Sequence, residues 1–119
     1  VEVARRDTKE KRVVPLEGIA QYVESLLAEI QTGMFDKAKA YQQEHITPAD
    51  SWEEFEKLLE GKGGFIAAHW DGTAETEEAI KEKTKATIRC IPLENKQEEG
   101  KCILTGKPSN ERVLFARAY

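Results

Sequence analysis

The sequence is poor in the residues that define several classes of protein. Its 119 residues include two cysteines, two histidines and four prolines, which is too little cysteine for the disulfide framework of a small secreted domain. Its apolar runs are only a few residues long, which excludes a membrane-spanning helix, and no basic-then-apolar signal segment opens the chain. We therefore expect a soluble, intracellular protein with no membrane partner.

Patterned apolar and charged residues are abundant instead. Hydrophobic residues make up 39% of the chain and charged residues 34%, the composition of a globular domain rather than of a disordered tail. A chain of this length buries roughly two thirds of its unfolded surface, which is enough for one modest core. The chain begins with Val1 rather than Met, inside a predicted strand, so we expect it to be part of a longer protein.

Positive charge is concentrated at the N-terminus. The net charge of −4 argues against a nucleic-acid binder across the whole surface, but residues 1–12 hold five cations and three acids and so carry +2. The five cations are Arg5, Arg6, Lys9, Lys11 and Arg12. On a tight protrusion they would neutralise several phosphates and help to position RNA. From charge alone, a merely solvated turn is an equally good interpretation.

The first part of the chain predicts a hairpin followed by one long helix. Valines flank the polar stretch 6–12, as in two short strands joined by a turn. From Pro15 to Tyr41, apolar residues recur at spacings of three and four, which is typical of an amphipathic helix with proline in its first turn. Such a helix from Leu16 would be about 39 Å long, and Gly33 is the position at which it could bend.

The remainder of the chain predicts a small mixed domain. Ser51 with Glu54 three residues later forms a capping box for a short helix, which the glycines of residues 61–64 end. Strands are predicted at 65–70, 86–93, 102–104 and 113–119, a polar helix at 74–83 and a charged loop at 94–101. The predicted fold class is α+β: an N-terminal hairpin and long amphipathic helix, then a small mixed α+β domain with an antiparallel sheet.

Three features that suggest catalysis are better explained as structure. Gly61-Lys-Gly-Gly64 resembles a phosphate-binding loop, but it follows a helix and precedes a strand, the reverse of what a phosphate site needs. We interpret it as a helix C-cap and turn. His69 lies at a strand end close to Asp71, but no serine or cysteine motif accompanies it, so a capped strand end is the simpler interpretation. His45, near Pro48, is interpreted as a turn residue.

Four positions have the spacing of a zinc site but not its chemistry. Asp71 and Thr76 are separated by four residues, and Cys102 and Thr105 by two; with cysteine at all four, this is the pattern of a tetrahedral zinc site. Zinc prefers thiolate and imidazole, and threonine hydroxyls would have to ionise to bind it well. We therefore expect no bound zinc. Instead we expect Asp71 to cap the helix that begins near Thr73, and hydrogen bonds or apolar packing to join it to the Cys102 turn.

Five blocks in order resemble the C-terminal end of the prolyl-tRNA synthetase family, more narrowly its archaeal and eukaryotic-like form. The blocks are residues 62–72, 77–84, 86–92, 100–108 and 113–119. The resemblance implies that residues 1–43 are the end of the anticodon-binding domain and residues 44–119 the C-terminal domain. It also implies that the family's zinc cysteines fall at Asp71, Thr76, Cys102 and Thr105, three of which are replaced here.

The resemblance implies a function that belongs to a larger enzyme, which activates proline with ATP and Mg²⁺ and transfers it to tRNA(Pro). This chain would contain no catalytic residue and no cofactor; it would support anticodon placement through its N-terminal cations and buttress the catalytic domain. Tyr119 would lie toward the active site of the complete enzyme, a cytoplasmic homodimer. Two alternatives stay open: a free-standing module that docks its long helix on a protein, and an RNA-binding module that acts through the hairpin.

Overall fold

The N-terminal unit, residues 1–42, is a hairpin followed by most of one long helix. The structure is a computed structural model that describes residues 1–118. Strands β1 (Glu2–Ala4) and β2 (Lys11–Val13) pair antiparallel. Lys9 turns the hairpin with a left-handed φ of 65°, and its N–H donates to the Arg5 carbonyl oxygen at 3.0 Å. The predicted hairpin is confirmed.

Helix α1 spans Ile19–Glu44, 26 residues. It begins later than predicted because Gly18, with a left-handed φ of 74°, separates Pro15 from the first helical turn. The long helix is confirmed, but the prediction that proline occupies its first turn is wrong. The helix continues through Gly33, and none of its residues is fully buried. Within the described residues no helix is both long and apolar enough to cross a membrane.

The second unit, described from residue 43 to 118, is built on a four-stranded sheet. The strands of this unit are β3 (Ile46–Pro48), β4 (Phe65–His69), β5 (Ala86–Cys90), β6 (Gly100–Lys101), β7 (Pro108–Ser109) and β8 (Arg112–Arg117). In the order β3-β4-β8-β5, the first pair is parallel and the other two are antiparallel, while β6 and β7 form a separate short hairpin. The α+β class is confirmed, with one parallel edge strand added to the antiparallel sheet.

Local signals position the helices of this unit. Helix α2 (Trp52–Glu60) begins after Ser51, whose hydroxyl accepts the Glu54 N–H at 3.2 Å. The Glu54 carboxylate reaches back to the N–H of Asp50 at 3.0 Å, so the predicted capping box forms with its return bond one residue earlier than in the standard motif. Helix α3 spans Ala74–Thr84.

The core of the second unit collects apolar side chains from both helices and from the sheet. Phe55 of α2, Ile80 of α3, and Ile66 and Phe115 of β4 and β8 have no exposed surface. The rings of Phe55 and Phe115 meet edge to face with their centroids 5.2 Å apart. Because each such side chain contributes roughly 1.5–3 kcal/mol on burial, this cluster is the main stabilising feature of the unit.

The turn after α2 requires glycine. Gly63 and Gly64 have left-handed φ values of 65° and 75°, and a Cβ on Gly64 would lie 2.7 Å from the carbonyl oxygen of His45. The N–H groups of Gly61 and Gly63 donate to carbonyl oxygens of α2 at 3.0 and 2.8 Å. These N–H groups are therefore occupied by the helix end rather than free for a phosphate, which confirms the interpretation of residues 61–64 as a C-cap and turn.

The structure corrects three predicted segments. Residues 46–48, for which no strand is predicted, form β3, an edge strand that tolerates Pro48 because its outer side needs no donor. Residues 102–104, predicted as a strand, lie in the connection between β6 and β7. The apolar side chains of Cys102 and Ile103 are buried there without pairing in a sheet. Strand β5 ends at Cys90, where its register with β8 shifts.

Candidate functional site

One of the five N-terminal cations, Arg5, differs from the others because it is paired with acids of its own unit. Arg5 donates from Nε and Nη2 to the Asp7 carboxylate at 3.1 and 2.7 Å, and from Nη1 to Glu29 of α1 at 2.6 Å. Its side chain is only 14% exposed, and its hydrogen bonds hold the pKa of Asp7 below the usual value. Arg5 therefore joins the hairpin to α1, and two acids neutralise its charge.

The remaining cations of the hairpin are exposed. Lys11 and Arg12 each have one loose ion pair with a glutamate of the hairpin, at 3.5 and 3.7 Å, and surface pairs of this kind contribute little. Arg6 and Lys9 have no ion-pair partner among residues 1–118. The hairpin can thus present four cations to a polyanion.

Three of the four positions with zinc-site spacing meet at one carboxylate. Asp71 lies just after β4, and its Oδ2 accepts from the hydroxyls of Thr76 and Thr105 at 2.8 and 2.9 Å. Its Oδ1 accepts from the backbone N–H of Thr73 at 3.1 Å and lies 2.8 Å from the Thr73 hydroxyl. We call Asp71, Thr73, Thr76 and Thr105 the Asp71 cluster.

The hydrogen bonds of the Asp71 cluster keep its carboxyl group ionised. Partial burial pushes the pKa of Asp71 upward, but the hydrogen bonds from Thr76, Thr73 and Thr105 outweigh it and hold the pKa at about 2. The N-cap of α3 is Thr73, whose hydroxyl accepts the Thr76 N–H at 3.3 Å. The prediction that Asp71 caps this helix is therefore wrong. Thr73 is the N-cap, and Asp71 accepts hydrogen bonds from the N–H and the hydroxyl of Thr73.

Cys102, the fourth of these positions, is a buried thiol. It is 3% exposed, and its backbone N–H donates to the Lys107 carbonyl oxygen at 2.7 Å, which closes the turn that also carries Thr105. Cys90 is exposed, and both cysteines are free. Within residues 1–118 no three side chains of histidine, cysteine, aspartate or glutamate are grouped so that they could hold a metal ion.

His69 has a serine partner that lies 40 residues away in sequence, too far for any local signal to reveal. Its Nδ1 is 3.0 Å from Ser109 Oγ, and the Ser109 hydroxyl donates to the Glu111 carbonyl oxygen at 2.9 Å. Since that hydroxyl has one hydrogen, Nδ1–H donates to the serine, the opposite of what nucleophile activation needs. A Cβ at Gly100 would overlap the His69 ring. The pair therefore joins β4 to β7 structurally.

Arg112 is a second connection that the sequence analysis did not find. Its guanidinium bonds to Glu98 at 2.8 and 3.1 Å and to Asp50, and it donates to the carbonyl oxygens of Ala49 and Ala67 at 3.2 and 3.3 Å. Hydrogen bonds from Arg112 lower the pKa of Glu98. This arginine holds the loop before β6 and the start of α2 to the sheet.

An open cleft of about 800 Å³ lies beside the last described residues, Arg117 and Ala118, and is also lined by Phe65 and Arg89. Arg117 is already occupied, since it donates to the Thr84 carbonyl oxygen at 2.7 Å and to a carboxylate oxygen of α2 at 2.8 Å. Tyr119, predicted to lie toward the active site of a complete enzyme, is outside the described residues.

Comparison with known proteins identifies the family. The family model described as "Prolyl-tRNA synthetase, C-terminal" matches residues 52–119. Proline--tRNA ligases of Flavobacterium psychrophilum, Cytophaga hutchinsonii and Bacteroides fragilis are 62%, 60% and 57% identical to the chain over 118, 119 and 123 residues. These matches cover 99–100% of this chain and 24% of each relative, so the chain spans about a quarter of their length. The chain therefore belongs to the prolyl-tRNA synthetase family, and its residues 52–119 are the C-terminal domain of that family.

Proposed function

We propose that the chain is the C-terminal part of a proline--tRNA ligase, a class II aminoacyl-tRNA synthetase. The complete enzyme would activate proline with ATP and transfer it to tRNA(Pro). The observation that carries this proposal is the 62% identity to such an enzyme over 99% of the chain. The reacting groups, ATP and Mg²⁺ would belong to a catalytic domain outside residues 1–119, and the hydrogen-bond direction of the His69–Ser109 pair agrees with a non-catalytic role for this part.

Within the enzyme, the hairpin would position the anticodon arm of the tRNA. Four exposed cations lie on the turn and on β2, and Arg5 bonds the same hairpin to α1, so the charges are held on a supported element. Phosphate contacts of this kind place the RNA without reading its bases. In this proposal residues 1–43 end the anticodon-binding domain, and residues 44–119 buttress the catalytic domain.

The proposal extends to the assembly and the type of the enzyme. We expect a cytoplasmic homodimer of the archaeal and eukaryotic-like form, the form that the C-terminal domain suggests. The three relatives named above are bacterial, so this form would not be restricted to archaea and eukaryotes. The free-standing interaction module is not favoured, because the similarity to proline--tRNA ligases extends over essentially the whole chain.

The test is a direct assay of the complete enzyme. Exchange of pyrophosphate into ATP should depend on proline, with glycine as the control amino acid, and proline should be transferred to tRNA(Pro). The 119-residue chain alone should catalyse neither step. Absence of proline-dependent exchange by the complete enzyme would refute the proposal. Tight, steeply salt-dependent binding of RNA by the isolated chain, together with that absence, would instead support the RNA-binding module.

A further inference from the structure

The residues of this chain do not fit the zinc site that the resemblance to the prolyl-tRNA synthetase family implies. Of the four positions, Cys102 and Asp71 offer a thiolate and a carboxylate that zinc can bind, and the two threonines offer no good ligand. Thr76 and Thr105 donate their hydroxyl hydrogens to Asp71, and both oxygens of that carboxylate are occupied by donors. A cation could bind there only by displacing these hydrogen bonds, and it would gain two weak, un-ionised hydroxyl ligands in return.

We propose that the Asp71 cluster replaces a metal as the cross-link of this domain, and that the chain folds without a structural metal ion. Asp71 and Thr73 belong to the connection between β4 and α3, Thr76 to the first turn of α3, and Thr105 to the turn between β6 and β7. The cluster therefore ties together the same two segments that paired metal ligands at the four positions would join.

The hairpin of β6 and β7 needs such an attachment. Each strand has two residues, and a hairpin of this size is not stable alone. Its other attachments include the buried Ile103 side chain, the Ile103 N–H, which donates to the His69 carbonyl oxygen at 2.9 Å, and the His69–Ser109 hydrogen bond. Ile103 lies near the start of the connection between β6 and β7 and Ser109 lies on β7, whereas the bond from Thr105 to Asp71 holds the middle of that connection.

The chemistry of the cluster is complete without a cation. A carboxylate offers only acceptors, and here it meets three hydroxyls and one backbone N–H that can donate. Thr76 is 6% exposed, so its hydrogen bond to Asp71 is shielded from water. The hydrogen bond from Thr105 is nearer to solvent. Among the described residues no buried polar side-chain atom lacks a partner. The negative charge also lies at the N-terminus of α3, where the helix dipole favours it.

The first test is metal content. The 119-residue chain, purified without added metal, should contain far less than one zinc per chain by elemental analysis, and treatment with a strong chelator should leave its melting temperature unchanged. A zinc content near one per chain, or a fall in melting temperature on chelation, would overturn the proposal.

The second test is a double-mutant cycle on the cross-link. Asp71→Asn should lower the melting temperature by about 4–8 °C, and Thr105→Val by less, because its bond is more exposed. The double variant should lose less than the sum of the two, since both changes remove the same hydrogen bond. Glu75→Gln, which removes an exposed charge from the first turn of the same helix, is the matched control: it reports the helix-dipole effect without the cross-link and should lower the melting temperature by less than Asp71→Asn does.

Hydrogen exchange keeps the test decisive if Asp71→Asn does not fold. In Thr105→Val, amides of residues 102–109 should exchange faster than in the parent, while those of β4 and β8 should not change. Equal exchange at 102–109, or strictly additive losses in the cycle, would show that the cluster does not cross-link these segments and would overturn the proposal.

Discussion

At the residue scale, the Asp71 carboxylate makes the free energy of unfolding depend on pH in the acid range. Its pKa of about 2 lies below the ordinary value of 3.8. A carboxyl group whose pKa is lowered by folding stabilises the protein fully above its unfolded pKa, and this contribution is lost as the pH falls through the folded value. We expect about 1–2 kcal/mol of the free energy of unfolding to disappear between pH 5 and pH 2 for this reason.

Urea denaturation across that pH range measures this loss. Asp71→Asn should be less stable than the parent at pH 6, and the difference between the two should shrink as the pH approaches 2. A difference that stays constant over the range would show that the ionised form of this carboxylate is not what stabilises the fold.

The turn after α2 gives a second prediction for single residues. Gly64→Ala should destabilise the protein by about 2–4 kcal/mol, because it adds a left-handed alanine and places its Cβ 2.7 Å from the His45 carbonyl oxygen. Gly63→Ala is the matched control. It has the same left-handed backbone but nothing within 4 Å of the new Cβ, so we expect a cost of about 1 kcal/mol.

Chemical denaturation of both glycine variants distinguishes contact from backbone strain. Equal losses at the two positions would mean that the φ angle alone explains the glycines of this turn, and that the approach of His45 is relieved by a small shift of the backbone.

At the element scale, the hairpin is the part of this chain whose role can be separated from the chemistry of the enzyme. Replacing Lys9, Lys11 and Arg12 together with glutamine in the complete enzyme should weaken tRNA binding and reduce the slope of its salt dependence by up to about 3. Activation of proline should be nearly unchanged, because phosphate contacts position RNA and take no part in forming the adenylate. Arg5 is excluded from this set because it is bonded within the unit.

Filter binding of tRNA at several salt concentrations, beside pyrophosphate exchange, measures both effects. The matched control replaces Lys83, Lys96 and Lys101, three exposed lysines of the second unit, with glutamine, and should leave the salt dependence unchanged. If proline activation falls as much as tRNA binding does, the hairpin has a structural role instead.

At the scale of the whole molecule, α1 and the segment just before it leave apolar side chains exposed. Leu16, Val23 and Leu27 are 70%, 38% and 61% exposed, although they belong to one apolar pattern with the half-buried Leu26 and Ile30. In the complete enzyme we expect this face to pack against the sheet of the anticodon-binding domain. Burial of such side chains stabilises by roughly 1.5–3 kcal/mol each, so the 119-residue chain should self-associate through residues 1–30 at high concentration.

Sedimentation at increasing concentration tests this prediction. Leu27→Gln should weaken the association, while Leu93→Gln, which changes a fully exposed leucine in a loop of the second unit, is the control and should not. A chain that stays monomeric at high concentration while residues 1–30 resist hydrogen exchange would contradict it, because the face would then be covered by its own chain.

Much of the secondary structure could be predicted from the sequence because its signals are local. The spacing of apolar residues reports helix α1, Ser51 with Glu54 reports the start of α2, and the glycines of residues 61–64 report its end. Each signal reflects hydrogen bonds, from backbone or side chain, between residues three to five apart, so a short stretch of sequence is enough to show it. The error at Pro15 has a local cause as well: Gly18 adopts a left-handed φ of 74°, which separates the proline from the first turn of α1.

The connections that define the site were decided by tertiary structure alone. Thr105 reaches Asp71 across 34 residues, Ser109 reaches His69 across 40, and Arg112 reaches Asp50 across 62. No periodicity or short motif encodes such pairs, because they form only after the core has placed β4, α3 and β8 side by side. The sequence alone determined which residue types were available at the positions with zinc-site spacing. Packing of the sheet and α3 determined that the carboxylate and two of the hydroxyls at these positions meet the hydroxyl of Thr73 in one hydrogen-bonded cluster. Only the folded core brings these donors and acceptors within 3 Å of each other.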